Sequence, residues 1–247
     1  MCLPLAPMSY PFVSLVIPCF NEAGRLVLLL QGLEEFAAAW PAEWEAIVVD
    51  DGSTDDTAAK LNTALQGHAL EKQIRILNQA NAGKGAALKT GVEAALGEFI
   101  LTLDADMATR PAELLHWWEK RKGFYPREIL IGSRELPQSD VLDLGYRRFI
   151  GHVFNRVIRI ATGLPIRDTQ CGFKLYDAAA AKALFAALRT PGWAHDVELL
   201  KRANRAGYAI VEMPIRWRAI EGSKIRVLRD SWAMFVEVLR IGMMRMG

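Results

Sequence analysis

Three cysteines are all that this 247-residue chain carries, and they stand apart, at Cys2, Cys19 and Cys171. An odd, scattered set without C-x-x-C spacing excludes a disulfide framework and the common zinc sites, and it suits a reducing compartment. Long apolar runs are missing too. None reaches the roughly 20 residues that cross a bilayer, and the best, near the C-terminus, is interrupted by Arg and Glu. The opening MCLPLAPMSYPF has neither a basic n-region nor a long apolar h-region, so it does not read as a secretory signal. A protein that is soluble or lies on a membrane is expected. Charge of one sign is also scarce: 30 Lys+Arg against 28 Asp+Glu leave +2, without the basic excess of a dedicated nucleic-acid binder, and no nucleic-acid partner is expected. Neither G-x-x-x-x-G-K-[ST] nor G-x-G-x-x-G occurs, so ATPase and dinucleotide-binding readings fail at their defining residues.

What is present is a large apolar fraction, 51%, enough to fill the core of one big α/β domain. Short β-rich runs at Val13 to Pro18, Ala46 to Val49, Ile74 to Leu77 and Phe99 to Leu103 alternate with helical patterns at Glu22 to Trp40, from Thr54, and at Gly85 to Leu96. Ser53-Thr54-Asp55-Asp56 offers N-cap chemistry to the second helix. Four such strands predict a parallel, right-handed α/β sheet whose ligands lie at the strands' carboxyl ends. After Ile129 to Ile131 the pattern changes to helical stretches around Arg147 to Ala161 and Ala178 to Leu188 and a strand at Ile210 to Met213. The second half is expected to cover the first rather than repeat it.

The sharpest chemical cue is Asp104-Ala105-Asp106 at the end of an apolar strand. Two adjacent carboxylates repel each other, and a divalent metal bridging a diphosphate would satisfy both; an ordinary polar turn is the alternative. Asp50 and Asp51 end another strand in Val-Val-Asp-Asp-Gly-Ser, bringing carboxylates to the edge where a nucleotide would lie, while Asp51-Gly52-Ser53-Thr54 also reads as a turn and cap. Asn81-Ala82-Gly83-Lys84-Gly85 opens a helix whose free N–H groups and lysine could attract phosphate, unless Lys84 is simply a solvated helix start. Arg134, Lys174 and Lys224 are further candidates to neutralise phosphate. Arg134 is the best placed, because it follows a predicted strand.

Taken in order, Ile17-Pro18-Cys19-Phe20-Asn21-Glu22, Val49-Asp50-Asp51-Gly52-Ser53 and Asp104-Ala105-Asp106 resemble family 2 glycosyltransferases of the GT-A fold. Farther on, Arg167-Asp168-Thr169-Gln170-Cys171-Gly172-Phe173-Lys174, Trp193-Ala194-His195-Asp196-Val197-Glu198-Leu199-Leu200 and Ile220-Glu221-Gly222-Ser223-Lys224 look like dolichyl-phosphate β-glucosyltransferases. The resemblance spans roughly residues 13 to 240. It implies a hexosyltransferase whose Pro18 and Glu22 border the nucleotide, whose Asp50 or Asp51 hold base and ribose, and whose Asp104 and Asp106 bind Mg²⁺ or Mn²⁺ and the diphosphate. Arg134 would face the acceptor phosphate, with Asp168, Gln170, Lys174 and Lys224 on the acceptor side. Related polyprenyl-phosphate mannosyltransferases usually carry Gln where this chain has Ala108. That departure favours UDP-glucose over GDP-mannose and removes one expected metal ligand.

Members of this family often bear transmembrane helices, and the resemblance implies that the acceptor is a lipid. The tail from Ile225 to Met246 mixes Val227, Leu228, Trp232, Phe235, Val236, Leu239, Met243 and Met244 with Arg226, Arg229, Arg240 and Arg245. That composition suits an interfacial amphipathic helix or a helix packed on the catalytic core. The expected organisation is an extension over residues 1–12, a catalytic domain over 13–225 and a C-terminal helix over 226–247, held peripherally at the cytoplasmic face of a membrane. A phosphate monoester is largely dianionic at neutral pH and needs no strong base, so Asp196, the base candidate of relatives acting on hydroxyls, is expected to orient the acceptor or a basic partner such as His195. A nucleotidyltransferase would need a Gly-rich, basic loop after the first strand, where Pro18-Cys19-Phe20-Asn21-Glu22 stands. A non-catalytic binding module would have no use for Asp104 and Asp106 together.

Overall fold

The computed structural model describes residues 10–142, 155–156, 158–220 and 227–244, with no side-chain placement for 227–233. The strands are β1 (Val13–Cys19), β2 (Trp44–Asp50), β3 (Ile74–Asn78), β4 (Phe99–Thr102), β5 (Glu128–Ser133), β6 (Asp140–Leu142), β7 (Lys174–Asp177), β8 (Ala209–Pro214) and β9 (Arg216–Arg218). The helices with both ends among the described residues are α1 (Leu26–Ala39), α2 (Thr57–Leu65), α3 (Lys84–Ala94), α4 (Glu113–Arg121), α5 (Ala178–Ala186), α6 (His195–Arg205) and α7 (Val227–Met243). Seven strands form one sheet in the order β3-β2-β1-β4-β7-β5-β8, and β6 pairs with β9 in a separate ribbon.

The first half folds as its pattern predicts. β1 pairs in parallel with β2 and β4, and β2 with β3. The strands alternate at period two between two cores: Leu15, Ile17, Ala46 and Val48 join the aromatic core of Phe36, Trp40 and Trp118, while Val16, Ile47 and Val49 face α3. Gly91 lets α3 sit this close, since a Cβ there would lie 2.4 Å from Val16 Cγ1.

Two expectations are corrected. The helix expected from Thr54 starts at Thr57, because the N–H groups of Thr54 and Asp55 donate to Asn21 Oδ1 at 2.7 and 3.2 Å and are held against the β1 loop. The second half does more than cover the first: it adds three strands to the sheet. β7 runs antiparallel between β4 and β5, and β5 pairs in parallel with β8. This inversion has a functional consequence. The start of β7 meets the end of β4, with Lys174 opposite Thr102, so the 168–173 segment arrives beside the Asp104 loop.

The tail helix α7 packs on the domain. Val238 and Ile241 join Ile158, Ala194 and Val197 in a small core, and Lys201 Nζ donates to the carbonyls of Ile241 and Gly242 at 2.5 and 2.7 Å. Among the described residues no helix is long and apolar enough to cross a membrane. The expected helix around Arg147 to Ala161 is described only at 155, 156 and 158–162, where it is helical. Residues 1–9, the segment 221–226 with Lys224 and Arg226, and Arg245 lie outside the described residues.

Candidate active site

The carboxyl ends of β1, β2, β4 and β5 and the amino end of β7 meet at one sheet edge. The β1 and β2 loops are clasped there by Asn21, whose N–H donates to Ser53 Oγ at 2.8 Å while its side chain receives Thr54. Asn21 holds φ +56°, a left-handed conformation that asparagine tolerates better than most residues. Glu22 forms a two-point ion pair with Arg25 at 2.7 Å, which directs that guanidinium's field toward Asp106. Pro18 lies beside these groups near the end of β1, half-buried.

Asp50 and Asp51 are both buried. Asp50 accepts from the Ser53 hydroxyl and from Ser53 N–H at 3.3 Å. Asp51 accepts from Gln79 Nε2, Ala82 N–H and Gly83 N–H at 2.7, 2.9 and 2.8 Å. It thus fixes the backbone just before α3 and so sets where Lys84 points. Lys84 Nζ lies 2.6 Å from Asp104 Oδ1 and 5.4 Å from the Trp193 ring centroid. The solvated-start reading of Lys84 does not describe this side chain, which is mostly covered and inside the site.

Asp104 and Asp106 differ electrostatically. Burial pushes both carboxyls up, but the Lys84 ammonium overcomes it and holds Asp104 below the ordinary value, whereas Asp106 is raised by burial and then by Asp104. Asp106 accepts from Ala108 N–H at 3.0 Å. Met107 between them takes φ +58°, strain of the kind that accumulates at ligand sites. Gly172 presses on Asp104: a Cβ there would stand 2.6 Å from Asp104 Oδ2.

The residues fit a divalent cation shared with a diphosphate. Two neighbouring carboxylates carry more negative charge than one lysine offsets, and carboxylate oxygens are the hard ligands that Mg²⁺ and Mn²⁺ take. Among the described residues no third carboxylate, histidine or cysteine completes a metal cage. Such an ion would therefore need ligands from the donor.

Across Asp104 lies a recess bordered by Ala108, Arg134, Gln170, Phe173 and Trp217. Arg134 grips the fully buried Asp168 through Nε and Nη2 at 2.7 and 2.9 Å, while its guanidinium lies 5.7 Å from the Trp217 ring centroid and stays one-third exposed. Asp168 in turn receives the backbone of Arg134 and Gln170, and Glu212 receives the N–H groups of Arg167 and Asp168. Asp168 therefore aims Arg134 and does not face the recess itself. Gln170 lies in the recess and donates to Met234 Sδ on α7 at 3.7 Å.

Lys174 is a correction. It is fully buried, donating to Cys171 O and, at 2.7 Å, to Asp196 Oδ1, so its charge supports Asp196 from beneath and does not reach an acceptor. Asp196 and His195 open α6, both buried. Glu198 in the same motif receives Arg189 N–H and Thr190 N–H and pairs with Arg202, which fastens the loop before α6. Asn21, Arg25, Gly172, Trp193 and Trp217 were not singled out from sequence. The glycine and the two tryptophans act through close approach and ring contacts, which leave no spacing signal.

The Glycosyl transferase family 2 model matches residues 14–185. Dolichyl-phosphate beta-glucosyltransferases are among the similar proteins. One from Trichomonas vaginalis is 37% identical over 89% of this chain and 67% of its own length. That of Homo sapiens is 36% identical over 86% and 69%, and that of Saccharomyces cerevisiae 33% over 94% and 74%. Among solved structures, glucosyl-3-phosphoglycerate synthase from Mycobacterium tuberculosis with Mn²⁺, UDP-glucose and glycerol 3-phosphate aligns at TM-score 0.65 and 20% identity, over 94% of this chain and 78% of that one. A mannosyltransferase from Pyrobaculum calidifontis with GDP-mannose and Mn²⁺ aligns at 0.65 and 20%, over 93% and 62%. These structural likenesses establish a shared fold.

Proposed function

The chain belongs to glycosyltransferase family 2, with a GT-A-like fold, and on that premise we propose that it transfers glucose from UDP-glucose to a polyprenyl phosphate of the dolichyl type. The observation that carries this reading is the placement of Asp104, with Asp106 two residues on, between two cationic groups, Lys84 on one side and the Asp168-aimed Arg134 on the other. A donor diphosphate and an acceptor phosphate are both anions and have to be brought close together, which costs Coulomb energy unless each meets a fixed cation. The names of the relatives and the Ala108 departure support glucose and a lipid phosphate.

In this reading Pro18, Glu22, Asp50 and Asp51 border the nucleoside, Lys84 meets the diphosphate, and Asp104 with Asp106 holds Mg²⁺ or Mn²⁺. Such an ion would supply charge stabilisation to the departing nucleoside diphosphate. Arg134 and Gln170 hold the acceptor phosphate, which attacks the anomeric carbon in one in-line displacement that inverts its configuration. Lys224, outside the described residues, is assigned to the acceptor on the resemblance alone. The catalytic domain spans 13–225, and α7 closes the acceptor side through Met234.

The outer face of α7 carries Val236, Leu239 and Met243 beside Arg240, and Ile160 is exposed as well. Apolar groups flanked by arginine suit docking at a membrane surface, and we assign that surface to the cytoplasmic leaflet.

The two-subsite arrangement is tested with Arg134→Ala combined with Asp168→Asn, so that no buried carboxylate is stranded. The KM for polyprenyl phosphate is expected to rise at least about tenfold with UDP affinity unchanged, as loss of a two-point cation contact requires. An unchanged acceptor KM would remove Arg134 from the acceptor subsite.

A further inference from the structure

One buried group is left unused by the proposed displacement. His195 is 1% exposed, and its ring is held at Nδ1 alone. Nδ1 lies 2.9 Å from Gly192 O, which only an N–H can satisfy, so the neutral ring carries its proton on Nδ1. Nε2 is then a lone pair with no hydrogen-bond partner, facing Asp196 Oδ1 at 3.4 Å. Two acceptors confront each other with no proton between them. Both contacts become favourable together only when a second proton enters and the ring turns into an imidazolium.

We propose that the His195–Asp196 pair is a proton-holding site that lets the enzyme use the monoanionic as well as the dianionic form of its phosphate acceptor. The proposal rests on the phosphate-acceptor reading above. A phosphate monoester loses its second proton near pH 6, so below that pH the acceptor arrives carrying one proton more than the phosphodiester product retains. As one phosphate oxygen bonds to the anomeric carbon and the bond to the nucleoside diphosphate breaks, the O–H bond of another phosphate oxygen breaks. Its electron pair stays on oxygen as the diester's negative charge. The proton passes to Asp196 and on to the Nε2 lone pair of His195, and it returns to water when product leaves. His195 touches no substrate in this scheme; it acts through Asp196.

The surrounding charges suit such a transient role. Facing the pair are Lys84 at the start of α3 and Lys174 on β7, with Asp104 beyond Lys84 and the buried Tyr176 phenol toward Asp196. Two ammonium groups balance the carboxylates of Asp104 and Asp196. Burial, then the two lysines, keeps His195 below its ordinary 6.5 against the pull of Asp196. The ring is therefore neutral at rest. Arrival of diphosphate and acceptor phosphate adds negative charge and makes proton uptake favourable. Space is fixed as well: Gly85 packs against the His195 Cβ, where its own Cβ would lie 2.7 Å away.

The test compares kcat/KM for polyprenyl phosphate from pH 5 to pH 8 in the wild type, His195→Phe and His195→Gln, alongside ¹⁵N NMR of the imidazoles. Whatever their activity at pH 8, both variants are expected to lose roughly tenfold per pH unit below about pH 6, following the dianion, while the wild type falls less steeply. Parallel profiles would overturn the proposal. The NMR titration stands apart from the substrate assignment: Nε2 is expected to be unprotonated at pH 7.5 and to gain its proton at lower pH in Asp196→Asn than in the wild type. A protonated Nε2 at pH 7.5, or the same titration in Asp196→Asn, would overturn it even if no lipid phosphate is glucosylated. Absence of that transfer with the expected NMR behaviour would instead fault the acceptor.

Discussion

At residue scale, the proposed function rests on contacts within a few ångströms of Asp104. Lys84 neutralises it at 2.6 Å, and Gly172 gives its carboxylate room that no side chain would leave. Gly172→Ala should push Asp104 off Lys84 while leaving the sheet intact. A misplacement of about 1 Å costs on the order of 100-fold in rate. A kcat measurement with a thermal melt as control is expected to show that loss with the fold retained; near-normal kcat would mean Asp104 has freedom to move. Asp104, Asp106, Asp50 and Asp51 could be proposed from sequence because they follow apolar runs at the carboxyl ends of strands, where a ligand site and a polar turn are both open readings. Lys174 was misread for a physical reason. A lysine looks like surface charge until its partner is known, and Asp196 lies 22 residues away. Asp51 shows the limit from the other side: its carboxylate is bonded to Gln79, Ala82 and Gly83, partners that spacing along the chain does not reveal.

Among elements, β7 and α7 carry the proposed acceptor side. β7 escaped sequence reading because it is four residues long and starts with a buried charge, so it shows no apolar run. β6 and β9 escaped for a similar reason, each three residues long, β6 starting with Asp140 and β9 bounded by Arg216 and Arg218. The tail helix was legible as amphipathic, with its inner and outer uses both open. Its inner face now has partners in Ile158, Ala194 and Val197, and its outer residues Val236, Leu239, Arg240 and Met243 recur at i, i+3, i+4 and i+7. Met243 is 80% exposed and Leu239 42%, so replacing them removes more outward-facing surface than buried packing at Met243 and a partly packed side chain at Leu239. Leu239→Gln with Met243→Gln is expected to weaken co-sedimentation with vesicles of phosphatidylcholine and phosphatidylserine at least about tenfold, given roughly 0.8 kcal/mol per buried methylene. Equal binding by the variant would show that α7 is not the docking surface.

For the molecule as a whole, the parallel half of the sheet was readable because each strand is a continuous apolar run followed by a helical period. The arrangement of the second half was not, since inversion of β7 depends on pairing between residues more than 70 positions apart. What this topology achieves is a single edge where Lys84, Asp104 and Arg134 come together, the proposed meeting place of donor and acceptor. The measurement that tests the account most directly offers radiolabelled UDP-glucose, GDP-mannose and UDP-N-acetylglucosamine with polyprenyl phosphate in detergent, with and without Mg²⁺ or Mn²⁺. The account predicts lipid labelled from UDP-glucose alone, lost when EDTA removes the metal. Labelling from another donor only, or a lipid that stays unlabelled with every donor, would contradict it.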